Sequence, residues 1–372
     1  MVSKPAIRLT AVRLLPALLL LCVPAHNDAA DLKSQIGEVI QPFIGEKKNV
    51  GIAVGIIRGE ERQVLGCGRQ SLETDKQPDG NTLFEIGSIT KVFTTLLLAD
   101  MAEDGLVNLD DPVRLYLPKD VVVPTRGGKE ITLFHLATHT SSLPRMPTNF
   151  LASQFRDWTN PNAHYTTELM YLFLSAHKLS RDIGTKYEYS NFGVALLGHV
   201  LARRANMDYE QLVVRRICDP LGMGDTRITL SPQQRLRLAE GHSRRGKPVA
   251  NWDLNAIAGA GALRSSVNDL LTFLSANLGL TKTDLLSAME TCHAARSEAG
   301  RKGSRVGMGW HILEPPANDK RIIWHNGGTG GYCSYIGFIK ETRTGVVVLS
   351  NSANSVDAAG IRILKLLNPG WD

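Results

Sequence analysis

Residues 84–100 read FEIGSITKVFTTLLLAD, and the reading of the whole chain starts there. FEIG has strand character, Gly87 offers a break, and the run from Ile89 to Leu98 is a long apolar helix. Ser88 and Lys91 stand three apart at the start of that helix, which puts both side chains on one face. A serine hydroxyl is a poor nucleophile until a base takes its proton, and a lysine held away from water loses enough basicity to do so. The helix N-terminus adds a positive field and free N–H groups for a developing oxyanion. The S-x-x-K spacing alone is weak, because Ser175 and Lys178 in YLFLSAHKLS (171–180) match it equally. That second match lies inside an ordinary helical pattern and reads as a solvated helix face, whereas Ser88 sits at a strand-to-helix junction of the kind that presents a nucleophile.

Two further stretches carry chemistry-bearing residues. In GTKYEYSNFGVALLG (184–198), Tyr189 and Asn191 alternate around Ser190, so an extended segment turns both to one side. A phenol near a cation can exchange protons with a serine and a leaving group, and an amide can hold a substrate carbonyl. Taken alone, the plainer reading is a tyrosine packed at a turn before a helix, with Ser190 or Asn191 as N-cap. In IIWHNGGTGGYCSYIGFI (322–339), two strands flank Gly327, Gly328, Gly330 and Gly331. Such glycines let backbone N–H groups approach a ligand, and His325 adds a donor. A glycine-rich hairpin whose histidine caps a strand end explains that segment equally well.

The periodicity outlines the architecture. Leu32, Ile36, Val39, Ile40 and Phe43 recur at helical spacing, NVGIAVGIIR reads as a β-branched strand, and a second strand follows near QVLGCG. Helical patterns dominate 88–300, strands return at RIIWHNGG, GYCSYIGFIKE and TGVVVLSNS, and an amphipathic helix through Ile361, Leu364 and Leu367 closes the chain. Strands at both ends with helices between them place the two ends in one sheet and the middle in a helical lobe, with a cleft where they meet. The expected fold class is α/β (α+β): an antiparallel sheet from both chain ends, flanked by helices, plus a mainly helical lobe. The expected organisation is a signal segment over 1–25 and one catalytic domain over 26–372, with its sheet part about 31–87 and 301–372 and its helical part about 88–300.

Ser88-x-x-Lys91, Tyr189-x-Asn191 and His325-x-Gly327, in this order and relative placement, resemble the three motifs of serine β-lactamases and penicillin-binding DD-peptidases, class C β-lactamases above all. ITLFHLATHTSSLPRMP, PLGMGDTRITL, AGAGALRSSVNDLLTFL and VGMGWHI are similar to segments of the same group, so the resemblance spans nearly the whole chain after residue 25. It implies acylation of Ser88, with Lys91 and Tyr189 sharing general-base and proton-shuttle duty. It implies an oxyanion hole from the N–H groups of Ser88 and Gly328, with Asn191 orienting the substrate amide and Asn326 and Gly327 beside it. His325 stands where class C enzymes carry the lysine of a K-T-G triad, and Asn326 replaces its threonine. A mostly neutral imidazole attracts an anion less strongly than an ammonium, which favours acyl-enzyme formation over fast β-lactam turnover. The first expectation is a class C-like hydrolase of penicillin-, cephalosporin- or carbapenem-like β-lactams. D-alanyl-D-alanine carboxypeptidase/endopeptidase and esterase activity are the alternatives. A catalytically silent binding protein would lack the serine, lysine or tyrosine, and all three are present.

The bulk properties agree with an exported enzyme. Lys4, Arg8 and Arg13 precede an apolar run from Leu14 to Val23 and small residues at Ala25, Ala29 and Ala30, the order of a cleavable secretory signal, which predicts a periplasmic or secreted product. That run is shorter than a membrane span of roughly 20 residues, and no later stretch is long enough, so stable membrane insertion is not expected. The net charge of +6 loses the three basic residues of 1–25, which contain no Asp or Glu, leaving +3, too mild for a nucleic-acid partner. The expected partner is a small-molecule β-lactam or D-alanyl peptide, taken by a monomer. No cofactor or metal is expected: HExxH, CxxC and a strand-linked GxGxxG are absent, and His135 and His139 at i and i+4 in LFHLATH lack an intervening glutamate. Asp269 reads as a residue of a helix's first turn, and Cys333 as buried or bridged. Cys67, Cys218, Cys292 and Cys333 allow one disulfide whose pairing the spacing leaves open.

Overall fold

The computed structural model describes residues 1–2, 26–45, 48–151, 157–300, 303–314 and 320–370. The signal pattern of 3–25 lies outside them. Eight antiparallel strands form the main sheet in the order β2-β1-β10-β9-β8-β7-β6-β5. Here β1 is Gly51–Arg58, β2 Glu61–Gly68, β5 Ser297–Glu298, β6 Ser304–Val306, β7 His311–Leu313, β8 Ile322–Gly328, β9 Cys333–Ile339 and β10 Thr344–Ser350. A separate pair joins β3, Leu83–Glu85, to β4, Arg264–Ser266.

The two ends of the chain meet inside the sheet, one strand in from the β2 edge, where β1 pairs with β10 from Ile52 opposite Ser350 to Arg58 opposite Thr344. Both strands are rich in β-branched residues and buried on both faces, which is why they show no polar alternation. Their side chains still divide by parity. Ile52, Val54 and Ile56 pack with Val346 and Val348 against helices α1 (His26–Ile40) and α8 (Asp357–Leu367), while Ala53, Ile57, Val347 and Leu349 join the larger core on the other side.

That larger core centres on α2, Thr90–Glu103, whose residues from Thr90 to Ala99 are all buried. A helix apolar around its whole circumference belongs inside a protein. Phe93 stacks on Phe273 at 4.4 Å, Thr94 Oγ1 donates to Gly259 O at 2.7 Å and Thr95 Oγ1 donates to Met308 O at 3.0 Å, so α2 is fastened to both halves of the molecule. The lobe on its far side includes α3 (Leu133–Ala137), α4 (Thr167–Ala176) and α5 (Asn191–Ala205). The helical stretch of 88–300 divides between two layers: α6 (Val267–Asn277) packs on β1 and β10, with α7 (Leu286–His293) against it and α2. Among the described residues no helix is long and apolar enough to cross a membrane.

All four cysteines at 67, 218, 292 and 333 are free. Burial pushes the Cys218 and Cys292 thiols up to about 12 and the Cys333 thiol up to about 11. Such groups pack as small apolar side chains.

Candidate active site

Ser88 lies in a single 3-10 turn, Gly87–Ile89, that leads straight into α2. The turn is made possible by Gly87 at φ +49°, where a Cβ would meet the backbone N of Gly328 at 2.6 Å. Gly327 is under the same constraint, since its Cβ would lie 2.0 Å from Ile86 O. The end of β8 is thus pressed backbone to backbone against the Ser88 turn, and Ser334 Oγ donates to Ile86 O at 2.8 Å to hold it there. Gly328 and Ser88 line one pocket of about 290 Å³, together with Asn191.

The Lys91 amine, fully buried, lies 3.0 Å from Ser88 Oγ and 2.5 Å from Ala260 O. Burial, reinforced by the Arg145 charge, holds its pKa well below that of an ordinary lysine. A neutral amine at this place has a lone pair to take the Ser88 proton. Tyr189 shares a hydrogen bond with the Ser88 hydroxyl, and its ring centroid is 5.1 Å from Lys91 Nζ. Burial pushes the Tyr189 phenol up to about 12 despite Ser88 and Arg145, so at neutral pH it is a protonated donor. Asn191 opens α5 just after the cap: Ser190 is the N-cap, accepting from Gly193 N at 2.8 Å, and Asn191 Nδ2 faces Met146 Sδ at 3.5 Å across the pocket wall.

His325 is buried behind Tyr189, with ring centroids 6.2 Å apart, and does not line the pocket. Its Nδ1 is 2.6 Å from Asn326 O, a carbonyl that can only accept, so Nδ1 carries the proton and Nε2 is a bare acceptor without a partner. Burial, with His311 and Lys91 nearby, keeps the ring neutral by lowering its pKa well below the usual value. The Asn326 side chain leaves on the other face of β8 and donates to Asp357 Oδ2 at 2.8 Å. Strand alternation separates these neighbours: one side chain of the pair faces Tyr189 and the other faces α8.

Several residues around the site carried no clear sign in the sequence. His139, at φ +57°, stacks on Tyr189 at 4.6 Å and accepts from Ser190 N at 3.1 Å through Nδ1. His311 on β7 packs 5.1 Å from His325, and burial with Lys91 draws its pKa down to about 4. Three uncharged imidazoles therefore pack near the Tyr189 phenol and the Lys91 amine. Their signal was only that polar rings stood in apolar surroundings. Trp252 forms another wall. Its backbone N–H donates to Glu85 Oε1 at 3.0 Å, and Glu85 is paired at 3.3 Å with buried Arg264 on β4.

The remaining candidates are placed elsewhere. Ser175 and Lys178 are exposed, Lys178 lies beyond the end of α4, and Ser175 Oγ accepts from Val122 N at 3.0 Å. His135 completes a capping box with Thr132 at the start of α3, which ends before His139 turns toward Tyr189. Among the described residues no group of three or more His, Cys, Asp or Glu could hold a metal. Asp269 sits in the first turn of α6, accepting from Asp225 N and Thr226 Oγ1, both at 2.8 Å.

The sequence profile of the family described as Beta-lactamase matches residues 36–367. The chain is 32% identical over 313 residues to the D-alanyl-D-alanine-carboxypeptidase/endopeptidase AmpH of Escherichia coli (strain K12), covering 80% of this chain and 78% of AmpH. Among solved structures it is similar to a class C beta lactamase from Rhodobacter sphaeroides, at 25% identity and a TM-score of 0.76 over 91% of this chain and 98% of the other. It is also similar to D-alanine carboxypeptidase AmpC from Burkholderia cenocepacia, at 27% identity and a TM-score of 0.78 over 91% of this chain and all of the other, 100%. With sequence, fold and a serine–lysine–tyrosine cluster in agreement, the chain belongs to the β-lactamase family, as a serine hydrolase of the class C type.

Proposed function

We propose that Ser88 is acylated by amides of the β-lactam and D-alanyl peptide class and that water then releases the acyl group. The observation that carries this reading is the contact of Ser88 Oγ with two groups of opposite readiness, the depressed Lys91 amine at 3.0 Å and the raised Tyr189 phenol. Neutral Lys91 takes the Ser88 proton as Oγ attacks the carbonyl carbon. The N–H groups of Ser88 and Gly328 receive the oxyanion, and Asn191 orients the substrate amide. Tyr189 gives a proton to the departing nitrogen and is reprotonated through Lys91, so the C–N bond breaks as a neutral amine leaves. His325, neutral and with Nε2 free to accept, supports the Lys91–Tyr189 pair from behind. Gly327 brings β8 against the turn, and Asn326 anchors that strand to α8.

The likeness to AmpH favours the peptide among the two substrate classes, as does the lack of a cation at position 325. Export to the periplasm or beyond, and action as a monomer on a small substrate, belong to the same reading.

The test is to incubate the purified protein with a chromogenic cephalosporin, an acyl-D-Ala-D-Ala peptide and a p-nitrophenyl ester, following turnover and the mass of the Ser88 peptide. Release of D-alanine with slowly cleared cephalosporin adducts on Ser88 is the expected result. Fast cephalosporin turnover with an untouched peptide would make β-lactams the substrate. Absence of any adduct on Ser88 would remove the mechanism.

A further inference from the structure

Among the described residues that line the pocket beside Ser88, Arg145 alone carries a formal charge. Its guanidinium lies 5.1 Å over the Tyr189 ring and forms no ion pair with any described residue. Its backbone is nonetheless held, since Arg145 O accepts from Asn191 N at 3.0 Å and Phe192 N at 3.2 Å at the start of α5. The position that could have offered a cation from β8 instead holds a buried neutral imidazole, and the amide after it is committed to Asp357. The pocket thus presents, next to Ser88, a positive charge with no counter-ion among the described residues.

We propose that Arg145 binds a carboxylate of the substrate and makes this site selective for acids over their neutral analogues. This rests on the acyl-transfer reading above and adds to it the group that recognises the anion. A guanidinium offers a planar pair of N–H donors that match the two oxygens of a carboxylate, which a point charge would not. Arg145 is also one of the two causes that keep the Lys91 amine from taking up a proton, so the same guanidinium serves both the base and the anion.

The experiment compares kcat/KM for matched acyl-D-Ala-D-Ala peptides ending in a free acid or in an amide, each with and without a carboxylate on the acyl chain. It uses the wild type, Arg145→Gln and Arg145→Lys. In Arg145→Gln the preference for the acid falls about 10- to 100-fold, mainly through KM, as expected for loss of a charge-assisted pair. Arg145→Lys retains part of it. Collapse of the ratio in the C-terminal arm or in the acyl-chain arm supports the proposal and identifies which carboxylate is held. Equal losses on acids and amides in both arms would overturn it. A second readout is the acid limb of the kcat/KM profile, which moves to higher pH in Arg145→Gln because Lys91 no longer feels the guanidinium. The other groups facing Lys91, namely Tyr189, His139, His311 and His325, are uncharged near neutrality. Calorimetric binding of the free-acid and amide peptides to Ser88→Ala, with and without Arg145→Gln, gives the same comparison without turnover. It separates failure of anion recognition from failure of the acylation mechanism.

Discussion

Lys91→Met separates the chemistry of the buried amine from its packing. Methionine fills a similar volume with no nitrogen, so it removes the group 3.0 Å from Ser88 Oγ without opening a large cavity. Loss of a general base should slow acylation by about 10²- to 10⁴-fold. The stability change is smaller and has opposing parts. Ala260 O loses the amine 2.5 Å away, which costs about 1–3 kcal/mol, but the core no longer has to hold an ionisable group. Linkage gives the sign of the pH effect. The folded-state pKa of Lys91 lies below the unfolded value of 10.5, so between the two the unfolded chain binds the extra proton and wild-type stability rises with pH. That rise disappears in Lys91→Met. Rapid-quench mass spectrometry of the Ser88 adduct measures the first effect, and denaturant unfolding from pH 6 to 10 measures the second. A near-normal acylation burst would move the base role to Tyr189, and an unchanged pH slope would show that the amine is not perturbed by folding.

Five other substitutions bear on the same picture. Ser88→Ala should abolish turnover of every substrate while Ser175→Ala changes it little, and equal losses in two well-folded variants would refute the assignment of the nucleophile. Buried His139, His293 and His325 have folded-state pKa values well below 6.5, so the unfolded chain gains protons first on acidification. Stability present at pH 7 is then lost below about 6.5 at roughly 1.4 kcal/mol per pH unit per histidine. His293→Gln, at a site where Nε2 bonds Asn277 Oδ1 at 2.9 Å, should make that slope shallower by one histidine's share in urea unfolding at pH 7, 6 and 5. Gly327→Ala should destabilise by several kcal/mol in thermal unfolding, because the new Cβ would lie 2.0 Å from Ile86 O. Gly328→Ala, with its nearest neighbour at 3.9 Å, should cost less than about 1 kcal/mol, and equal costs would deny the close approach of β8 to the nucleophile turn.

Much was legible before any coordinates, and for local reasons. The strand runs at both ends, the buried helix after Ser88 and the terminal amphipathic helix follow from apolar periodicity, which short-range geometry enforces. The two S-x-x-K matches could be told apart because a glycine turn precedes one and not the other. The order of Ser88, Tyr189 and His325 along the chain pointed to one site, and the first two meet through a hydrogen bond.

What the linear pattern could not decide was direction and depth, because these depend on contacts hundreds of residues apart. Adjacent residues 325 and 326 differ by one step of a pleat, and that step sends one side chain behind Tyr189 and the other to α8. Nothing local reveals that the stacking partners of His139 and His311 come from residues 189 and 325. Arg145 carried no local sign of its place, which the folded chain sets at the pocket with no ion-pair partner among the described residues. The Ser88 turn and its helix are properties of the sequence. The depressed amine, the neutral imidazoles and the unpaired guanidinium arise only from tertiary packing, which alone sets desolvation and the distance between charges.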